Sequence, residues 1–382
     1  MSTPRTTTTP TAKWTTTFRD RVTALPKPVK ILLWVLFFVF LFALPLLNIP
    51  FITTPDSDFG GVLFTVATYV LVALGLNIVV GYAGLLDLGY VGFYAVGAYT
   101  VGVLGSMHAQ WPWLWTVPVA IVAALISGVL LGAPTLRVRG DYLAIVTLGF
   151  GEIVRLTLVN SEPLGAAQGI SNIPRPPGAE LFKLPHLDWS SGVPVVDLDN
   201  TTTFLKFGIT DQIPYYWLAL GIILLVILFD RLVKDSRVGR AWEATREDED
   251  AAELMGVPTF RFKLLAFALG ACIGGLSGAL FAGKQGFISP DSFPLLLSIL
   301  FIAAVVVGGQ GNRWGVILGA IVVGYFPERF REFADFRVLV FGLALMLLAI
   351  FRPQGLIPPR RTVRAKRAEE KFGALEEGEA GV

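Results

Sequence analysis

Long apolar runs, separated by short charged segments, set the first limit on how this chain can fold. A helix needs about twenty apolar residues to cross the hydrocarbon core of a bilayer. The chain is 54% hydrophobic and 16% charged, whereas soluble domains carry about a quarter charged residues. This pattern predicts an all-α, polytopic helical membrane protein with about ten spans. The predicted spans cover residues 31–47, 60–80, 90–108, 113–133, 142–160, 214–233, 260–281, 294–309, 314–327 and 337–351.

The distribution of charge predicts the domain organisation and its orientation. Residues 1–30 are basic and rich in Thr and Pro, which is typical of a disordered arm. Residues 31–351 form a single predicted transmembrane domain, and residues 352–382 form a tail that is expected to be largely disordered. Loops rich in Lys and Arg stay in the cytoplasm. The loop at 161–212 has three basic against six acidic residues, so we expect it outside and both termini in the cytoplasm.

The stretch at 236–257 is strongly charged, although apolar runs flank it on both sides. Its acidic run at 247–250 would cost several kcal/mol per charge at the centre of a bilayer, so the stretch lies in water. Between Arg240 and Met255 there is no Gly or Pro, which favours one helix, and Gly256 and Pro258 end it. We therefore predict a cytoplasmic helix that docks a partner. A merely solvated helix is the alternative reading.

Polar residues within the apolar runs are candidates for a translocation path. The segment at 81–89 holds three glycines and one Asp, which predicts irregular backbone that is tolerated only against protein or a water-filled path. Asn77 and Asp87 belong to this region, although Asp87 also suits a capping role. Glu152 and Arg155 are three residues apart and can instead form an ion pair on one helical face.

Two glycine patterns are compatible with an internal repeat and with close helix packing. The pattern Val-Val-Gly-x-x-Gly occurs at 79–84 and at 306–311, after spans of the same predicted direction. Chance explains this match as well as a repeat does, although repeats are common in transporters. Small residues four apart, at 274 and 278 and at 315 and 319, favour packing within one bundle over a dedicated dimer face.

The chain offers no constellation typical of an enzyme, a metal site or a cofactor site. One Cys and two His exclude an intrachain disulfide and a His-based metal cluster. Residues 278–284 fit the first seven positions of a phosphate-binding loop, but Gln285 stands where Ser or Thr must hold Mg²⁺, and a membrane helix replaces the expected strand. We therefore predict that the chain needs no cofactor and does not hydrolyse ATP.

Six segments together support a resemblance to a known family. They are GLNIVVGYAGLLDLGYVGFYAVGAY at 75–99, RGDYLAIVTLGFGEIVR at 139–155, GRAWEATREDE from 239 to 249, QGFISPDSF at 285–293, VGGQG at 307–311 and RPQGLIP at 352–358. Together they resemble the LivM family, the permeases of branched-chain amino-acid ABC transporters. The resemblance covers about residues 60–358. It departs from the family at 164–170, where LGAAQGI replaces the usual Thr-Gly-Gly-x-x-Gly-Ile, and this leaves the preferred substrate open.

The resemblance implies an ABC importer permease fold and a set of partners. These are a LivH-type second permease, two cytoplasmic ABC ATPases and an extracytoplasmic amino-acid-binding protein, in a bacterial cytoplasmic membrane; no nucleic acid is implied. The charged helix then becomes the coupling element. Its apolar members are expected to pack into an ATPase groove, and its charged members to set the register. The candidate coupling residues are Trp242, Glu243, Ala244, Arg246, Glu247 and Gly256.

Two other transport functions remain as alternatives at this stage. A permease for urea or short amides belongs to the same ABC class and has a related sequence. An ion-coupled secondary transporter needs an intramembrane ion site, for which Asp87, Glu152 and Arg155 are few and lie near helix ends.

Overall fold

The computed structural model describes most of the apolar part of the chain. The described residues are 26–47, 53, 58–107, 109–137, 141–178, 183–188, 195–208, 211–329, 339, 342–343, 346, 350–351 and 355–357. The predicted basic arm lies outside them up to residue 25, and so does the tail except for 355–357. Residues 27–30 of the predicted arm are helical.

The chain divides into two compact units. One unit comprises residues 1–52 and 185–201; it contains helix α1, Lys27–Leu47, and most of a two-stranded sheet formed by β1, Lys183–Asp188, and β2, Val195–Thr203. This sheet lies in the predicted external loop. Apart from it, the all-α prediction is confirmed.

The other unit comprises residues 53–184 and 202–382 and holds the remaining helices. They are α2 (Phe59–Leu76), α3 (Val91–Gly102), α4 (Trp113–Thr135), α5 (Asp141–Asn160), α6 (Ile213–Lys234), α7 (Arg237–Glu247), α8 (Glu249–Leu254), α9 (Thr259–Gln285), α10 (Leu295–Gly308) and α11 (Arg313–Arg329). We call the side of this unit that carries α7 and α8 the charged end.

Helix α9 lies at the centre of this unit and packs against α2, α3 and α4. Small residues allow the close approach. A Cβ on Gly97 would lie 2.5 Å from the Cα of Gly275, and one on Gly278 would lie 2.9 Å from the backbone nitrogen of Ala98. The glycine spacing in α9 therefore serves packing inside the chain, as the sequence favoured.

Six helices among the described residues are long and apolar enough to cross a membrane. They are Phe59–Tyr82, Trp113–Thr135, Tyr142–Asn160, Ile213–Lys234, Thr259–Gln285 and Pro290–Gly308. Two further apolar helices, Val35–Leu47 and Val91–Ser106, are shorter. The predicted span at 337–351 falls largely outside the described residues, so the total of ten stays a prediction.

The packing of α9 predicts the effect of enlarging Gly278. Gly278→Val should lower the free energy of unfolding by about 1–3 kcal/mol, because the added atoms meet the backbone of α3. The control is Gly221→Ala in α6, where an added Cβ meets nothing within 4 Å and the change should stay within about 1 kcal/mol. Unfolding of both purified variants in mixed micelles measures the difference. Equal stabilities would contradict the packing argument.

Candidate functional site

The span that begins with α2 changes its backbone conformation near the charged end of the unit. Asn77–Tyr82 form a π-helical turn, and residues 83–90 that follow are not helical. The predicted irregular backbone at 81–89 is therefore confirmed from Ala83 onward. Such π turns within membrane helices often mark functional positions.

The end of α10 faces this turn. The Asn77 side chain is fully buried, and its Oδ1 accepts a hydrogen bond of 2.9 Å from the backbone N–H of Gly311. A Cβ on Gly81 would lie 2.7 Å from that same nitrogen. Only a residue without a side chain at 81 allows the two helix ends to meet.

Residues 355–357, from the closing segment that the sequence singled out, cap α10 from the other side. The N–H groups of Leu356 and Ile357 donate to the carbonyl oxygens of Val307 and Gly308 at 2.7 and 3.1 Å. Asn312 Nδ2 donates to the carbonyl of Ile357 at 3.2 Å. The last carbonyls of α10 are thus paired with backbone donors, which a helix end inside a protein requires.

A buried carboxylate joins α6 to the π turn and to the start of α11. Asp230 is 1% exposed; its Oδ2 lies 3.2 Å from Nε of Arg313, at the start of α11, and accepts a 3.1 Å hydrogen bond from the hydroxyl of Tyr82. A buried carboxylate requires such partners because its desolvation is costly. Sequence reasoning missed this group, although an Asp near the end of an apolar run is a usable signal.

Two cations complete the cluster. Lys234 Nζ donates to the carbonyl of Gly311 at 2.9 Å and lies 4.6 Å from the centre of the Tyr82 ring. Arg246 of α7 donates from Nη1 to the carbonyl of Gly81. We call this cluster the polar junction, consisting of Asn77, Gly81, Tyr82, Asp230, Lys234, Arg246, Gly311 and Arg313.

The charged stretch itself forms two helices, not the single helix that the sequence predicted. Asp248 is extended, with φ −154° and ψ 112°, and its Oδ1 accepts a 2.9 Å hydrogen bond from the N–H of Ala251. It therefore ends α7 and caps the start of α8. Asp strongly prefers the N-cap position of a helix, and this preference breaks the stretch although it contains no Gly or Pro. The capping residue was hard to recognise because it stands in a run of four acidic residues.

Trp242 points into the chain. Its side chain is fully buried, and Nε1 donates to the carbonyl of Phe262 in α9 at 2.6 Å. This differs from the expectation that Trp242 packs into a groove of a partner protein. The side chain instead fastens α7 to the start of α9. Two further contacts join α8 to the start of α9: Lys263 pairs with Glu249, and Thr259 donates to Glu253 at 2.5 Å.

The outward surface of these two helices carries other residues. Glu243 and Glu247 are exposed one helical turn apart, and Ala244 is half-buried. Gly256 is exposed and has φ +85°, which ends α8. Leu254 and Met255, just before it, are 88% and 85% exposed. This apolar pair was absent from the sequence-based candidates because it falls at the end of the helical pattern.

The other candidate path residues lie apart from the polar junction. Asp87 is fully buried, and its Oδ1 accepts a 2.9 Å bond from the N–H of Gly89, which is the local capping contact that the sequence left open. No described residue bonds its Oδ2. Glu152 and Arg155 form the predicted ion pair on α5, at 2.6 Å, with both side chains partly exposed.

Residues 164–170, which depart from the expected family motif, lie at the end of the unit opposite the charged end. Ile170 and Ile288 exchange two backbone hydrogen bonds of 2.8 and 3.0 Å, which joins residues 164–170 to the segment after α9. An apolar groove of about 530 Å³ opens beside Leu164, between α3, α4 and α5. Tyr99 lines this groove with a buried hydroxyl that bonds no described residue.

Apolar helices around a broken helix with a buried polar cluster define a polytopic helical membrane protein, since irregular backbone is tolerated there only against protein or a water-filled path. Residues 59–350 match the family model described as branched-chain amino acid transport system, permease component. The chain belongs to this family of transporter permease subunits and is not an enzyme. No solved structure matches it.

Named relatives agree with the family. The chain is 44% identical over 298 residues to the high-affinity branched-chain amino acid transport system permease protein LivM of Escherichia coli K12, covering 77% of this chain and 68% of that protein. It is 25% identical over 342 residues to the probable LivM of Methanocaldococcus jannaschii, covering 76% and 91%. It is also similar, at 23% over 306 residues, to LivH of Salmonella typhimurium, covering 75% and 92%.

The polar junction predicts a stability effect at Asp230. Asp230→Ala should lower the free energy of unfolding by about 3 kcal/mol, because Arg313 loses its buried carboxylate and Tyr82 its acceptor. The control is Asp235→Asn, an exposed position at the end of α6, where about 0.5 kcal/mol or less is expected. Denaturant unfolding in mixed micelles measures both variants. A loss at Asp230 no larger than the control would refute the structural role.

Proposed function

We propose that this chain is the permease subunit of an ATP-driven importer for leucine, isoleucine and valine in a bacterial cytoplasmic membrane. The observation that carries the proposal is the family match over 59–350, together with relatives named for branched-chain amino-acid transport. The charged end faces the cytoplasm, as do both termini, because Lys and Arg concentrate in that direction.

The subunit acts with partners. A LivH-type second permease completes the path, two ABC ATPases dock at the charged end, and an extracytoplasmic binding protein delivers the amino acid. Similarity to LivM and LivH relatives supports the pairing of permeases. The ATP must be hydrolysed elsewhere, because residues 278–285, with their resemblance to a phosphate-binding loop, lie inside helix α9 and their N–H groups serve that helix.

The contact with the ATPases uses the outward face of α7 and α8. Leu254 and Met255 supply the apolar anchor, because they are highly exposed next to an aqueous charged segment and apolar side chains at the centre of an interface carry most of its energy. Glu243 and Glu247 set the register by charge pairing. Ala244 and Gly256 are further members of this surface. Trp242 and Arg246 contribute through their contacts inside the chain, with α9 and with Gly81.

The translocation path runs along the broken helix. Asn77 and Asp87 are its polar residues, which is supported by their complete burial and by the side-chain atom that each leaves without a partner in the described part of the chain. Glu152 and Arg155 act at its edge as a pair. Buried polar atoms without partners are rare and suggest a role in a changing structure.

Uptake of labelled leucine tests the function. Cells that express this chain with its partner subunits should accumulate leucine, and cells that lack only this chain should not. Unlabelled isoleucine and valine should compete, whereas urea should not. Competition by urea without competition by isoleucine would favour the amide permease instead.

The docking surface predicts the effect of removing its apolar anchor. The double variant Leu254→Ser with Met255→Ser should weaken association with the ATPases by about tenfold or more, because burying even one such side chain is worth about 1.5 kcal/mol. Trp111→Ser, a partly exposed position at the opposite end, is the control and should keep the affinity. Pull-down of the ATPases with purified permease complex measures the change. Unchanged affinity in the double variant would refute this surface.

A further inference from the structure

The two Val-Val-Gly-x-x-Gly stretches meet in the folded chain. The one at 79–84 contains the end of the π turn that follows α2, and the one at 306–311 contains the end of helix α10, both at the charged end. The last glycine of each stretch has a left-handed backbone, with φ +74° at Gly84 and φ +83° at Gly311. The two stretches share this left-handed last glycine but differ before it, since Tyr82 is π-helical whereas Gly309, at the same position of the pattern, has φ +110°. The two turns therefore lie against each other without sharing one backbone path.

Arg246 lies between the two turns. A Cβ on Gly84 would lie 2.7 Å from the Cγ of Arg246, and a Cβ on Gly311 would lie 2.9 Å from its Nη1. The guanidinium also donates to the carbonyl of Gly81. Both glycines thus leave room for one side chain that comes from α7, outside the apolar bundle.

The electrostatics favour a cation at this position. The Gly81 carbonyl lies in the π turn at the C-terminal end of the span that begins with α2, where helix carbonyls carry partial negative charge. The Gly311 carbonyl lies beside it in the turn between α10 and α11. Arg246 binds the carbonyl of Gly81, and Lys234 binds that of Gly311 at 2.9 Å. These two cations pair with the carbonyls of Gly81 and Gly311, and they act beside the Asn77–Gly311 hydrogen bond that also joins the two segments.

We propose that Arg246 bridges the two glycine turns and thereby closes the path at the charged end. We call this side chain the wedge, because it fills the space between the turns. Withdrawal of Arg246 separates Gly81 from Gly311 and opens the path toward that side. This inference rests on the proposed function, in which ATPases move α7. Helix α7 is held firmly at two points. Trp242 is bonded to α9, and Gly239 lies so close to the end of α6 that an added Cβ would be 2.7 Å from the Cα of Lys234.

Reporter accessibility in the assembled transporter tests this role. In a Cys272→Ser background, Val80→Cys places one thiol in the π turn, where Val80 is 5% exposed. We measure its labelling by a membrane-impermeant maleimide from the charged end, without nucleotide. Arg246→Gln should raise the labelling rate by about tenfold, since that factor corresponds to about 1.4 kcal/mol of a charge-assisted hydrogen bond.

Matched variants separate a wedge from a general structural role. Arg240→Gln removes an exposed arginine from the same helix and should leave the labelling rate unchanged. Arg246→Lys keeps the charge but loses the planar fork, so an intermediate rate is expected. Arg246→Gln should also increase ATP hydrolysis per leucine transported, because the closed state no longer depends on α7.

The outcomes are distinct. An assembled Arg246→Gln complex with the wild-type labelling rate overturns the wedge, even if leucine uptake by the wild type supports the proposed function. If Arg246→Gln fails to assemble, Arg246→Lys decides, and a labelling rate equal to that of the wild type overturns the proposal. Failure of the wild-type complex to transport leucine refutes the proposed function, while raised labelling in Arg246→Gln would still support the wedge.

Discussion

The pairing of backbone carbonyls at two interrupted helix ends is the constraint on which the rest of the structure depends. Helix α2 is followed by a π turn and α10 ends in a glycine turn, and each end leaves carbonyl oxygens without a partner inside its own helix. Residues 355–357, Lys234 and Arg246 supply the donors. Asp230 pairs with Arg313 in the same cluster.

This constraint explains why the charged helices have two different faces. The inner face of α7 holds Trp242 and Arg246, which bind α9 and the end of α2. The outer face presents acidic residues together with the exposed apolar pair Leu254 and Met255. In the coupling that we propose, a motion imposed on the outer face would reach the broken helix through side chains that are already in contact.

Much of the fold was predictable because the length and the apolar composition of membrane helices can be recognised in the sequence. The irregular backbone predicted for 81–89 was correct from Ala83 onward, since three glycines and an Asp cannot continue a span. The break of the charged stretch at Asp248 was not predicted, because helix-forming residues continue on both sides and the capping preference of one Asp decided the outcome. Asp230 was overlooked because it lies within an apolar run and its partners come from α11 and from the end of α2.

The sequence by itself determined the class of the protein, the irregular backbone at 83–89 and the family, and it offered the Glu152–Arg155 ion pair as one of two readings. These depend on local composition, on spacing along one helix or on motifs. Only the tertiary structure decided that Trp242 points inward, that Asn77 binds Gly311, and that Arg246 lies between two glycine turns. Each of these contacts joins residues that are distant in the chain, so helix packing, not sequence spacing, brings them together.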